Sequence, residues 1–149
     1  LYCIPSPHGL YTLPIDKADV KRIGSNITLV SYGLTLHYCL EAAEVMAAEG
    51  VDIEVVDLRT LTPLDTETIL DSVKKTGKLA IVHEDNITGG VGAEIAALVA
   101  ERAFEYLDGP IARICGPDVP TMPFAQTLED AYMPTGDKIA DGLRKLVAY

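Results

Sequence analysis

Asp57 and Arg59 stand two residues apart at the end of the apolar run Val55-Val56, just ahead of Leu61-Thr62-Pro63-Leu64-Asp65. In an extended segment that spacing sends both side chains out of one face. Arg59 is therefore expected to neutralise Asp57 at the carboxyl end of a strand, where open α/β sheets keep their working surface. Two further apolar runs end in polar groups: Leu29-Val30 in Ser31-Tyr32-Gly33, and Leu79-Ala80-Ile81-Val82 in His83-Glu84-Asp85-Asn86. One rim would thus gather Asp57, Arg59, His83, Glu84 and Asp85, groups from which an acid–base or metal site can be built. A structural role competes and is favoured. The arginine pairs with carboxylates, His83 satisfies a backbone group at a strand end, and the spacing is not diagnostic of ligands.

The glycine loop Thr88-Gly89-Gly90-Val91-Gly92 opens a helix, so its free N–H groups could bind an anion. It fits neither the dinucleotide fingerprint nor the phosphate loop, since no GxGxxG and no Gly-Lys-Ser/Thr is present. Glu94 in the first turn already complements the helix dipole, and a tight turn with close helix–sheet packing accounts better for the glycines. Ser31 and Ser72 sit in no GxSxG elbow, which removes a hydrolase triad. Cys3, Cys39 and Cys115 are odd in number and scattered, without a CxxC pair, so zinc and dithiol chemistry lack support. Cys39 and Cys115 are expected to be reduced core thiols, which points to the cytoplasm or another reducing intracellular compartment.

The elements that must position these residues alternate. Residues 1–16, with Pro5, Pro7 and Pro14, read as a linker or arm from a preceding domain; the rest, 17–149, reads as one domain. Residues 17–22 and 26–32 flank Gly24 as an expected β-hairpin. Helical periodicity covers 34–49 with Gly50 as its cap, 65–76 with Gly77 closing it, and 137–148. A long helix from Val91 carries the stripe Val91, Ile95, Leu98 or Val99, Arg102 or Ala103, and Tyr106, and breaks at Gly109-Pro110. Strands are expected at 51–58, 78–83 and 111–115. The segment 116–136, with Pro117, Pro120, Pro123 and Pro134, is expected to be a loop with one helical turn near Glu129. This order predicts an α/β fold: a three-layer, mostly parallel open sheet with one antiparallel edge strand and helices on both faces.

At 149 residues, 48% hydrophobic and 23% charged, the composition is that of a folded globular domain. A formal charge of −10 argues against nucleic acid and anionic membrane surfaces and favours a basic protein partner. No apolar run reaches membrane-spanning length and no signal peptide is visible. A start at Leu1 rather than methionine suggests excision from a larger chain.

Several motifs in fixed order resemble a known family. Leu29-Val30-Ser31-Tyr32-Gly33 comes first, then Val56-Asp57-Leu58-Arg59-Thr60-Leu61-Thr62-Pro63-Leu64-Asp65, then His83-Glu84 with Thr88-Gly89-Gly90. Gly116-Pro117-Asp118-Val119-Pro120 and Met122-Pro123-Phe124-Ala125 follow. Together they resemble the C-terminal domain of the beta subunit of 2-oxo acid dehydrogenase decarboxylase components, and more broadly the last domain of the transketolase superfamily. The resemblance runs from about Ile15 to Tyr149. It implies a thiamine-diphosphate enzyme that decarboxylates pyruvate or a branched-chain 2-oxo acid and passes the acyl group to a lipoyl arm. The Gly-Asp-Gly…Asn motif for magnesium and diphosphate is missing, as is the domain supplying the activating glutamate. No catalytic, cofactor-binding or metal residue is therefore assigned, and the isolated chain is expected to be inactive. The resemblance implies oligomeric contacts with other decarboxylase domains or subunits, with Asp57, Arg59, His83 and Glu84 as a candidate interface rim. It also implies docking to the basic subunit-binding domain of a dihydrolipoyl acyltransferase, for which Asp108, at the end of the long helix, and Tyr149 are the candidates. A transketolase-type C-terminal domain and a free-standing α/β enzyme or nucleotide module are the alternatives.

Overall fold

The computed structural model describes residues 9–149. Cys3, Pro5, Pro7 and the first half of the expected arm lie outside the described residues. Residues 9–16 carry no helix or strand. Five strands follow: β1 (Asp19–Arg22), β2 (Ile27–Ser31), β3 (Ile53–Asp57), β4 (Leu79–Asn86) and β5 (Ala112–Gly116). Five helices alternate with them: α1 (Thr35–Ala48), α2 (Thr66–Thr76), α3 (Val91–Arg102), α4 (Gln126–Tyr132) and α5 (Gly136–Val147). The sheet order is β1-β3-β2-β4-β5, parallel throughout except that β1 runs antiparallel to β3.

β2 is buried along its whole length, and β3 and β4 are buried up to Asp57 and Glu84, because helices cover both faces. On one face Ile27, Leu29, Val55 and Val82 pack against Cys39, Ala43 and Met46 of α1 and Ile139 and Leu143 of α5. Alternate residues Val30, Val56 and Ile81 meet Ile69 and Val73 of α2 and Ile95 and Val99 of α3 on the other. The three-layer α/β expectation therefore holds, including its single antiparallel edge strand.

The expected hairpin does not form. β1 pairs with β3, with Val20 opposite Val56, and β2 lies between β3 and β4. β2 is buried from end to end and has a parallel neighbour on each side, so no edge remains for β1. The chain turns at Gly24 and crosses over the start of β3 instead. A Cβ there would collide with the backbone of Ile53 and Glu54. Gly24 also donates its N–H to the buried Glu54 carboxylate at 3.4 Å, and Lys75 pairs with the same carboxylate.

Three boundaries also move. α3 stops at Arg102 and is followed by a 3-10 turn at Phe104–Tyr106, which leaves Tyr106 exposed. Asp108 thus lies in a turn rather than at a helix end. β4 runs through Asn86 with a register shift between His83 and Asn86. The turn expected near Glu129 is the seven-residue α4. α2 starts on Asp65, whose carboxylate accepts from the Thr68 N–H at 3.3 Å and hydroxyl at 2.7 Å, and from the Ala18 N–H at 3.1 Å. Burial opposes ionisation of Asp65, yet those donors and Lys17 at 3.7 Å bring its pKa below the ordinary value. Gly77 ends α2 with φ +72°, where glycine is favoured.

Replacing Gly24 with alanine is expected to destabilise the chain by about 1–3 kcal/mol, because the new methyl group meets rigid backbone rather than a movable side chain. The urea midpoint should fall with little change in slope.

Candidate functional site

β2, β3 and β4 all point their carboxyl ends at one rim, and the connections leaving the neighbours β2 and β4 run in opposite directions, to β3 and to β5. Such a switch point is where open α/β sheets bind ligands. Here the crevice is filled from within. Ser31 Oγ and Thr35 Oγ1 share a hydrogen bond at 2.8 Å. The Tyr32 ring stacks beside His83 with centroids 6.3 Å apart.

The expected rim separates into two clusters. At the β3 end the chain leaves the strand at Asp57 and enters the left-handed region at Arg59, φ +56°. Alternation therefore stops before Arg59, and its side chain does not neutralise Asp57. Its guanidinium reaches Asp19 on β1 at 2.6 Å, while its backbone N–H donates to the Asp57 carboxylate at 3.0 Å. Lys21 bridges the pair, 2.6 Å from Asp19 and 3.8 Å from Asp57. Asp19 titrates below the ordinary range, chiefly through its hydrogen bond with Lys21. The cluster clamps the edge strand to β3.

The second cluster surrounds His83. The ring is 1% exposed and its Nε2 accepts the Gly92 N–H at 3.1 Å. Cys115 Sγ, on the neighbouring β5, approaches the same nitrogen at 3.2 Å. Two donors aimed at Nε2 assign the ring hydrogen to Nδ1, the neutral tautomer. Burial pushes the imidazole pKa down and outweighs the opposing Asp85 charge; Arg113 lowers it further. The Cys115 thiol is pushed up to about 11, again mainly by burial. Histidine and thiol are both held neutral, so this pair is not an activated nucleophile. The structural role expected for His83, satisfying a backbone group, is the one observed. Glu84, next along β4, is exposed.

The glycine loop has a matching explanation. A Cβ on Gly92 would come within 2.6 Å of His83 Nε2, and one on Gly90 within 2.6 Å of His83 Cε1. These glycines form a socket for the imidazole. The loop's anion is internal: the Asp118 carboxylate accepts from Thr88 N at 3.0 Å and Thr88 Oγ1 at 2.7 Å. Asn86 Nδ2 reaches the Val119 carbonyl at 3.2 Å. The N–H of Ala93, in the first turn of α3, goes to Gly90 O. Spacing does not bring Asp118, Cys115 and Tyr32 to this cluster, because they come from the segment after β5, from β5 itself and from the connection after β2. Among the described residues no group of three or more His, Cys, Asp or Glu could hold a metal ion.

Asp108 and Tyr149 lie at the other end of the sheet. The Asp108 N–H donates to Gly77 O at 2.7 Å, and a Cβ on Gly109 would sit 3.2 Å from the Tyr149 Cβ. The two candidates are therefore close neighbours, both exposed. Cys39 is buried and free, with its thiol pushed up to about 12 by burial; Cys115 is also free. Among the described residues no helix is long and apolar enough to cross a membrane.

Together these features define a doubly wound α/β domain whose carboxyl-end rim is consumed by its own contacts. The family described as transketolase, C-terminal domain, matches residues 16–139, and the chain belongs to it. It is 46% identical, over 96% of its length, to the beta subunit of 2-oxoisovalerate dehydrogenase from Bacillus subtilis, of which it covers 44%. Against the mitochondrial pyruvate dehydrogenase E1 component subunit beta of Dictyostelium discoideum the identity is 48%, covering 91% of this chain and 38% of that one. The beta subunit of an acetoin:2,6-dichlorophenolindophenol oxidoreductase from Cupriavidus necator is 44% identical over 93% of this chain and 41% of its own. The chain thus spans less than half the length of these relatives. Among solved structures, a split-gene transketolase in an inactive beta4 tetramer superposes with a TM-score of 0.81 at 26% identity, over 93% of this chain and 44% of that one.

Gly92→Ala is expected to cost about 1–3 kcal/mol in the intact chain, and much less in a His83→Ala background, where the methyl group has room. A double-mutant cycle by urea unfolding reads that coupling. The pH response has a definite sign. His83 binds a proton less readily folded than unfolded, so its contribution is complete above about pH 6.5 and is lost as pH falls from there through the lower folded value. Unfolding free energies at neutral and mildly acidic pH should show this loss, and His83→Gln should remove that share of it.

Proposed function

We propose that the chain is the C-terminal assembly domain of the beta subunit of a thiamine-diphosphate-dependent 2-oxo acid dehydrogenase. The observation that carries the reading is the match of nearly the whole chain to such beta subunits at about 46% identity. Residues 1–16 act as the arm from a preceding domain, and 17–149 form the domain itself. The parent enzyme oxidatively decarboxylates pyruvate or a branched-chain 2-oxo acid and transfers the acyl group to a lipoyl arm, in the cytoplasm or another reducing compartment. A transketolase-type parent is less well supported, since the transketolase likeness is 26% identical against 46% for the dehydrogenase subunit.

Thiamine diphosphate and magnesium belong to the rest of the parent in this reading. The residues present do not fit them: the carboxylates of the β3 rim are paired with Lys21 and Arg59, and the glycine loop is taken by Asp118 and His83. No step of the decarboxylation is therefore routed through this chain. Its share is contact. The rim of Asp57, Arg59, His83 and Glu84 stiffens the surface turned toward the other decarboxylase domains or subunits of an oligomer. Asp108 and Tyr149, adjacent at the opposite end, offer an acid and an aromatic ring to the basic subunit-binding domain of a dihydrolipoyl acyltransferase.

Removing Tyr149 from the whole beta subunit, or changing Asp108 to asparagine, should weaken binding of the isolated subunit-binding domain several-fold by calorimetry. Unchanged affinity in both variants would remove the docking assignment. Titration of thiamine diphosphate with magnesium into the isolated chain should give no tight binding; a tight complex would overturn the reading of this chain as an assembly domain.

A further inference from the structure

The two edges of the sheet are treated differently. β1 is guarded as exposed edges usually are: it is four residues long, has a register shift between Val20 and Arg22, and is braced by Lys21 and Arg59 on Asp19. β5, at the other edge, is five residues long and also meets its neighbour with a register shift, but among the described residues no ion pair braces it. A groove of about 550 Å³ runs beside it, lined by the consecutive residues Ala112, Arg113, Ile114 and Cys115. A cavity on one face of a strand touches alternate residues only; contact with four in succession places the groove along the free backbone edge. Among the described residues, no backbone bond to another element is made on that side of residues 112–115.

The opposite wall is α5, whose Gly142 and Leu146 leave an apolar floor. A Cβ on Gly142 would press to within 2.5 Å of Ile114 Cδ1, so glycine sets how closely helix and strand approach. The charges on the walls run against those of the chain. Arg113, Lys138 and Lys145 line the groove against a single acid, Asp141, which Arg144 already holds at 2.6 Å. Lys138 spends its ammonium on carbonyls of Asp130, Ala131 and Met133. Arg113 gives one N–H to the Ile87 carbonyl at 2.8 Å, and both it and Lys145 are exposed at the mouth. In a chain of net charge −10 this is a local concentration of positive charge beside an unpaired strand.

We infer that the β5 edge receives an extended acidic segment of a partner protein, added as a sixth strand. Backbone pairing to residues 112–115 supplies the affinity, and its carboxylates meet Lys145 and Arg113. A second copy of this chain fits less well, because antiparallel pairing of two β5 strands sets the two basic mouths side by side. Tyr149 closes one end of the groove, so this occupant would approach the docking position proposed above, but with the opposite charge.

The test uses a blocked peptide of alternating valine and glutamate titrated into the isotope-labelled chain. Amide shifts should concentrate on residues 112–115 and the facing residues of α5. Binding should weaken with added salt, and Lys145→Glu and Arg113→Glu should each weaken it roughly five-fold. Lys145 is exposed, so its variant should keep the parent spectrum elsewhere; Arg113→Glu also removes the hydrogen bond to the Ile87 carbonyl, and its own peptide-free spectrum should differ around Ile87 and His83. The same peptide with lysine for glutamate, or with proline at alternate positions, should not bind. Shifts elsewhere, equal binding of the lysine peptide, indifference to salt and charge reversal, or a concentration-dependent dimer paired through β5 without peptide would each overturn the inference. Deleting Tyr149 separates the two readings, since it should weaken the basic subunit-binding domain while leaving peptide pairing along residues 112–115 in place.

Discussion

A single buried imidazole organises the carboxyl end of this domain. His83, within β4, accepts the Gly92 N–H at the start of α3, so strand and returning helix are joined across their own connection. The same nitrogen meets Cys115 on β5, and Tyr32, from the connection after β2, stacks on the ring. Four segments therefore converge on one side chain. The socket requires glycine at 90 and 92, because a methyl group at either position would occupy the space of the ring. What looks like an anion loop is a histidine socket, held neutral because charging it would set a proton against two donors in a dry site.

Buried charge follows a similar economy elsewhere. Glu54 points to the α2 face of a central strand, where a lone carboxylate would be costly. Lys75 reaches it from the last turn of α2, and the Gly24 N–H adds a second donor. Asp65 caps the other end of α2 and takes the Ala18 N–H as well. Helix α2 is thus tied by carboxylates at both ends to the segments flanking β1. The antiparallel edge strand stays in place through these ties and the Asp19–Arg59 pair, despite its four-residue length.

The alternation of elements was legible because both periods are strong here. Mostly apolar strands mark a sheet covered on two sides, and the caps at Asp65 and Gly77 bound α2 with little slack. The misread features share one cause: tertiary partners that local pattern does not encode. The hairpin across Gly24 has good local chemistry, but β2 is claimed on both sides by parallel neighbours. The pairing of Asp57 with Arg59 assumes that alternation continues, and a left-handed residue ends it. The long stripe to Tyr106 keeps helical spacing after the helix has stopped at Arg102. The family was legible from motif order, since residues 83–92 and 116–120 contact each other through Thr88, Asn86 and Asp118. The basic groove was invisible, because its cations come from β5 and α5 and are diluted by a chain of net charge −10.

The location of the remaining polar surface bears on what such a domain can do. In a doubly wound sheet the switch point is the place where a ligand enters between diverging connections. Here Tyr32, His83 and the Ser31–Thr35 hydroxyl pair close it. Groups left facing solvent are Glu84 and Asp85 at the carboxyl-end rim, Asp108 and Tyr149 at the amino end, and those along the β5 edge. A small-molecule site needs convergent groups in a concave pocket; a protein contact needs a stiff surface with a charge pattern. Packing that buries or pairs most of the carboxyl-end groups therefore gives rigidity in place of reactivity.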